Sequence, residues 1–361
     1  MTDYCTAVMP AIACHLCQGD LSQSACNISC VACRQSWPVR NGVLHLHETD
    51  AYFGEPGITR DLLRQIVEEM RVSNWHEVLK LRLSNEFMST YEFLADLSRA
   101  NWHTLIGLPK ESVILDVGAG MGTISDALSR EYTTVYAVEQ VPERAEFMAR
   151  RFSQEGIKNV QVFCTDIDHL PFRPHSFDLI VLNGVLEWLP FKKRELAPDL
   201  AQKFYLARLK KLLKPDGVLY VGIENRSCYA YFRGAKDPHV PLPYVTILPR
   251  VLANWLSRLL TGEPYLPYIY SSSGYRRLFK EAGFSDLQIY SALPSYNKPT
   301  NMIPLSKHSS AFGDLILTSN RVLARWVKPL LIKADILKYL GYAYIVFAFN
   351  SEPATNPLTK R

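Results

Sequence analysis

The sequence predicts an α/β protein: a parallel sheet wrapped by helices, preceded by a small cysteine-bound module and carrying helical additions. Three observations predict it. Between residues 113 and 224, β-branched apolar runs alternate with amphipathic helical stretches. The first run ends in an acid followed by alternating glycines, Asp116-Val117-Gly118-Ala119-Gly120-Met121-Gly122. Near the start, Cys14-x2-Cys17 and Cys30-x2-Cys33 stand twelve residues apart.

Each cysteine pair can form one knuckle, and Cys14, Cys17, Cys30 and Cys33 together complete a tetrahedral zinc site. Four protein ligands leave no open position, so the zinc is expected to be structural. Cys5, Cys26, Cys164 and Cys228 are left over. Asn41-Gly42 between apolar runs signals a hairpin. Beyond it, His45 and His47 alternate as surface residues of a strand. Residues 51–110 read as three helices, 58–72, 75–83 and 85–106.

Val113–Val117 is then the first strand of the parallel sheet. The glycines after it let the backbone take unusual dihedrals and approach a ligand, and a helix follows from Thr123 to Arg130. Thr134–Val138 ends at Glu139, at the spacing of an acid that binds ribose hydroxyls. Pro142 opens a helix to about Glu155. Val160–Cys164 leads to Asp166, which can accept from an exocyclic amine, and Ile167, which can pack on a flat base. Phe177–Leu182 is followed by Asn183-Gly184-Val185-Leu186-Glu187. An amphipathic helix over 201–213 precedes a fifth strand, Val218–Ile223. A Pro-, Tyr- and Arg-rich stretch follows, with one helix near 247–261. Ser271 then caps a helix that Gly283 stops. Phe284–Ala292 and Gly341–Phe349 are the last strands expected.

Over residues 113–224 the chain resembles the class I S-adenosylmethionine-dependent methyltransferases, in Asp116 through Gly122, Glu139, Asp166-Ile167 and the Lys214-Pro215-Asp216-Gly217 turn. The spacing G-x-G-x-G at Gly118, Gly120 and Gly122 differs from the G-x-G-x-x-G of redox enzymes. The resemblance implies a Rossmann-like sheet of seven strands whose last strand pairs antiparallel at the sheet edge. It implies S-adenosylmethionine bound by Asp116, Gly118, Gly120, Gly122, Glu139, Asp166, Ile167 and Asn183. The first fifty residues resemble zinc ribbons fused to, or partnering, RNA and tRNA methyltransferases. Residues 223–305 are similar to uncharacterised bacterial methyltransferases near polysaccharide or lipid-glycan biosynthesis. The domains expected are a ribbon at 1–50, a helical lid or linker at 51–110, a methyltransferase domain at 111–350 with insertions at about 225–270 and 295–340, and a flexible tail at 351–361.

For catalysis, Asn183 and Glu187 follow strand four, where acceptors of such enzymes meet the methyl group. His239, after strand five, is the best candidate base because an unperturbed imidazole titrates near neutrality. The Asn- or Asp-Pro-Pro-aromatic motif of amino-methylating enzymes is absent after strand four, which favours an oxygen acceptor. The expected function is methylation of a small molecule or sugar/glycan precursor. The alternatives are an RNA (rRNA or tRNA) methyltransferase clamping its substrate with the ribbon, and a catalytically silent adaptor.

Charge separates these readings. Residues 1–50 carry two basic and four acidic residues, against RNA, where phosphate contacts dominate affinity. Residues 306–361 carry eight basic and three acidic residues, which suits a weak membrane-surface contact or a phosphate-bearing partner. No apolar run reaches the ~18 residues of a membrane span, and the first residues lack a signal-peptide pattern, so a cytoplasmic location is expected.

Overall fold

The computed structural model describes residues 11–24, 26–52, 54–306 and 333–350. Most of the second expected insertion, the expected tail and Cys5 lie outside the described residues. So does most of the basic C-terminal segment. The chain forms two compact units. One runs up to Val181 and takes in Lys211–Gly217; the other holds Leu182–Lys210 and continues from Val218.

The first unit begins with four short strands, β1 (Leu21–Gln23), β2 (Asn27–Cys30), β3 (Ser36–Arg40) and β4 (Val43–His45). Asn41 and Gly42 both have positive φ, as the tight β3–β4 hairpin requires. Helices α1 (Arg60–Glu69), α2 (Trp75–Arg82) and α3 (Met88–Ala95) follow. The single helix expected over 85–106 is broken. Asp96 is extended (ψ 95°) and its carboxylate caps Ser98, so a short 3-10 turn stands before α3 and a longer 3-10 segment, Leu97–Leu105, after it. The doubly wound part contains β5 (Val113–Val117), α4 (Thr123–Ser129), β6 (Thr134–Glu139), α5 (Pro142–Gln154), β7 (Val160–Cys164) and β8 (Phe177–Asn183).

The strand order in this unit is β1-β2-β3-β4-β7-β6-β5-β8. β4 to β8 pair parallel in that order, while the ribbon strands β1 to β4 pair antiparallel. The ribbon is therefore part of the sheet. Val43, Leu44 and His45 run in register with Val162, Phe163 and Cys164, covering an edge of β7 that would otherwise present unpaired backbone groups. His45 is correspondingly buried rather than a surface residue. At the start of β5, the Val113 amide and the Lys214 ammonium both donate to Asp178.

The second unit contains α6 (Pro198–Leu212), β9 (Leu213–Glu224), α7 (Tyr229–Phe232), α8 (Arg250–Thr261), α9 (Ser272–Glu281), β10 (Asp286–Ser295), β11 (Lys298–Pro304) and β12 (Ala343–Phe349). β9 already begins within the first unit and takes up the whole Lys214–Gly217 stretch that reads as a turn. The order β9-β12-β10-β11 is antiparallel throughout. β12 was expected at the edge and lies inside, between β9 and β10. All seven of its residues are buried, which suits an apolar run with ladder partners on both sides. Twelve strands are found among the described residues instead of seven; the additional ones are the four ribbon strands and β11, the hairpin partner of β10. No helix among the described residues is long and apolar enough to cross a membrane.

Candidate functional site

In the first unit, β5, β6 and β7 end at a row of buried carboxylates. Asp116 closes β5, and its Oδ2 accepts from the Ser125 hydroxyl at 2.6 Å. Burial lifts its carboxyl to about 6, against the lowering effect of Ser125 and of Arg99. Gly120 (φ 63°) and Gly122 (φ 87°) sit in the left-handed region, where a side chain is strained. A Cβ on Gly120 would also stand 2.7 Å from the Arg144 guanidinium, and one on Gly122 2.7 Å from Met148. Both positions therefore favour glycine. Glu139 closes β6 and braces two turns, accepting from Gly120 N at 3.0 Å and Val141 N at 2.9 Å. Asp166, beyond β7, caps the short turn at Ile167–His169 by accepting from Asp168 N.

Two positions here carry no sequence motif. Arg144 of α5 is held against Glu55 at 2.6 Å, and its charge is favoured by Glu139 and Glu55 despite burial. Helices α1 and α2 pack in one apolar cluster with Met121 of the glycine loop and Phe147 of α5. The helical region is thus part of this end of the sheet. His169 Nδ1 lies 2.6 Å from Asp166 Oδ1, and its ring stacks on His47 at 4.3 Å.

The ribbon brings its four cysteines together. Cys14 Sγ lies 3.7 Å from Cys33 Sγ and Cys17 Sγ 3.5 Å from Cys30 Sγ, with all four within 4.8 Å of one another. Tetrahedral zinc with bonds of about 2.3 Å needs sulfurs roughly 3.8 Å apart, so the donor set fits the ion. Gln18 and Arg34, each following the second cysteine of a pair, both have positive φ, so the two knuckles turn alike. Cys26 is exposed and outside the group.

In the second unit, four acidic or basic side chains meet in a buried cluster. Glu187 lies on the 3-10 segment Leu186–Lys192 after β8, Glu224 ends β9, and Asp237 and His239 come from the segment after α7. His239 Nε2 lies 3.6 Å from Glu187 Oε1 and 4.0 Å from Glu224 Oε2; Nδ1 lies 3.4 Å from Asp237 Oδ1. Trp188 meets the imidazole edge-on at 5.0 Å. Asp237 is itself fixed by Thr246 and Tyr265 hydroxyls, both donating at 2.8 Å.

This crowding sets the protonation states. Burial pulls the imidazole down, but Asp237 and Glu187, with Glu224, outweigh it and carry His239 up to about 10. Burial first, then the Glu187 charge, lifts Glu224 to about 7. Tyr296 donates to Glu224 Oε1 at 3.1 Å, while Glu224 Oε2 is buried with no hydrogen-bond partner among the described residues. Glu187, Glu224 and His239 have the geometry to hold a cation. Asn183 has its own hydrogen bonds, accepting from the Tyr220 hydroxyl at 3.1 Å and donating to Asn297 at 3.0 Å. Gly222 makes room for it, since a Cβ there would fall 2.6 Å from Asn183 Oδ1.

Residues 115–221 match the family model described as "Methyltransferase domain". The chain is 30% identical over 169 residues to the ubiquinone biosynthesis O-methyltransferase of Coxiella burnetii, covering 43% of this chain and 68% of that protein. The chain belongs to the class I S-adenosylmethionine-dependent methyltransferases. It is also 27% identical over 126 residues to the tRNA (guanine-N(7)-)-methyltransferase of Staphylococcus epidermidis, with 34% of this chain and 58% of that one covered. The chain thus spans less than two thirds of that relative's length. Among solved structures, the Haemonchus contortus phosphoethanolamine N-methyltransferase 2 complex with phosphomonomethylethanolamine and S-adenosylhomocysteine is 15% identical, with a TM-score of 0.41 and coverage of 70% of this chain and 51% of that chain.

Asp116, Gly118, Gly120, Gly122, Glu139, Asp166 and Ile167, expected from sequence to bind the donor, all belong to the first unit. Buried carboxylates at strand ends and a loop with glycine at every second position fit a nucleoside-bearing donor. Asn183, expected in both donor and catalytic sets, belongs to the second unit's hydrogen-bond network. Glu187 and His239 do meet. The premise that made His239 a base, a pKa near neutrality, does not survive its three acidic neighbours. Glu224 and Tyr296 complete the cluster. Their signal in the sequence was only an acid at a strand end and a tyrosine after Pro294-Ser295.

Proposed function

We propose that this methyltransferase moves a methyl group to a hydroxyl of a small molecule or glycan precursor, with Glu224 as the base. The observation that carries the reading is Glu224 Oε2, a buried carboxylate oxygen with no hydrogen-bond partner among the described residues, on a group titrating at about 7. S-adenosylmethionine supplies an electrophilic methyl on a sulfonium, which leaves as a neutral thioether when the acceptor oxygen displaces it. Asp116 and Glu139 would hold the amino acid and ribose parts, Asp166 and Ile167 the adenine. Glu224 Oε2 takes the proton that the acceptor hydroxyl loses as its oxygen bonds to carbon. Tyr296 keeps the other carboxylate oxygen oriented. His239 remains an imidazolium and balances the second carboxylate, Glu187, so that Glu224 can ionise near neutrality.

The four cysteines hold one structural zinc, and the ribbon steadies the β7 edge that leads to Asp166. A second reading, a tRNA substrate, draws on the staphylococcal relative and on the ribbon. The buried acids of the second unit and the ribbon's acidic balance oppose it, because phosphates need cations.

Donor carrying a labelled methyl, incubated with protein and either total tRNA or a fractionated small-molecule and glycolipid extract, tests this directly. The label should enter a base-stable ether in the extract. Label in tRNA alone would establish the second reading instead.

A further inference from the structure

Helix α8 is built inside out. A surface helix normally buries its large apolar residues and shows its polar ones. Here the inward residues are Ala253 and Ser257, and Ala253 packs with Val245 and Tyr265. Asn254 and Ser257 fasten that side by hydrogen bonds, Asn254 accepting from Tyr265 N at 3.2 Å and Ser257 donating to Glu263 O at 2.9 Å. The outward residues are Val251, Trp255 and Leu259, one turn apart, with 80%, 63% and 64% of their surfaces exposed. Leu252 and Leu260 flank them, also exposed. Phe232 and Tyr244 are two more exposed rings on the chain leading into α8. So contiguous an apolar face on a fastened helix marks a docking surface.

We propose that this face seats the protein on an anionic lipid bilayer. Charge selects the occupant. α8 contains no acid, and Arg258 is exposed on it. Arg233 and Lys236 are exposed on the segment before it. The nearest acid after it, Glu263, pairs with Arg194 at 3.5 Å. Tryptophan among leucines with arginine alongside is the composition of helices that lie in the headgroup region. A second copy of the chain is a poorer occupant, because a two-fold pairing of this face would set its cations against themselves. The inference rests on a face within residues 232–260 alone and stands whatever the methyl acceptor is.

Full-length protein mixed with vesicles of phosphatidylcholine, with or without about 30% phosphatidylglycerol, and separated by flotation tests this. Binding to the anionic vesicles should exceed that to neutral ones by about tenfold and weaken as salt is raised. A Trp255→Ser/Leu259→Ser variant should lose about tenfold or more. Arg258→Glu should lose binding to anionic vesicles while keeping the residual neutral binding. Donor affinity, measured in parallel, checks that each variant is folded, and Val251→Ser stands in if the double variant is not. Equal flotation of wild type and variants, or none by the wild type, would overturn the proposal. So would a wild-type dimer that the apolar substitutions convert to monomer.

Discussion

The carboxylates of the first unit and those of the second are buried alike but partnered differently. Glu139 spends its charge on backbone amides, Gly120 N and Val141 N, within twenty residues of itself. Asp116 is fixed by Ser125, nine residues away. In the second unit, Glu187, Glu224 and Asp237 crowd one imidazole, and Glu224 keeps an oxygen with no hydrogen-bond partner among the described residues. Acids with local donors can shape a rigid cradle. Acids sharing a single cation are poised to trade a proton, since removing one charge changes the others' affinity for it. On that difference rests the proposal that one group binds the donor and the other moves a proton.

The largest expected effect comes from breaking the proton-transfer side. Glu224→Gln keeps the Tyr296 contact and the volume but removes the acceptor of the proton. Turnover should fall by ~10³ with donor affinity within about twofold of wild type, read by single-turnover methyl transfer alongside calorimetry. A parallel fall in donor affinity would erase the distinction between the two groups. Next is the cradle. Asp116→Ala should weaken S-adenosylmethionine binding by ~10² in calorimetry, because a buried charged partner is lost.

His239→Ala sharpens the comparison further. With the imidazolium gone, Glu224 faces Glu187 uncompensated, so its pKa must rise above about 7. At neutral pH turnover should drop by about tenfold and recover at higher pH. A variant that stays inactive at every pH would make His239 a direct participant instead. The smallest effect on activity is expected in the ribbon. Cys14→Ser should lower bound zinc from about one per chain to near zero by elemental analysis and expose residues 11–46 to protease, with donor binding reduced but present. Full zinc retention would remove the four-thiolate site from the account.

The proposed cradle was readable as a pattern because its parts are short-range. Strand, acid and glycine loop occur in one continuous stretch, and a backbone turn at φ 63° or 87° leaves its mark as a glycine. The cysteine spacing was legible for the same reason. The ribbon's place in the sheet was not, because pairing of β4 with β7 joins residues more than a hundred positions apart. Nor was the charge of His239, which depends on three acids from different segments. The break at Asp96 was hidden in an apolar pattern that reads as one helix. The β11 hairpin lay where only Pro294 to Pro299 announced a departure from the sheet.

The pH dependence of methyl transfer at saturating donor, in wild type and Glu224→Gln, tests the central claim most directly. Glu224 must be ionised to act, and its raised pKa means that the active form accumulates as pH rises through about 7. The rate of the wild type should therefore climb tenfold per pH unit below that value and level off above it, up to about pH 10, where His239 loses its proton. The climb should be missing in Glu224→Gln. A wild-type rate flat across pH 7, or the same climb in both proteins, would contradict Glu224 as the base.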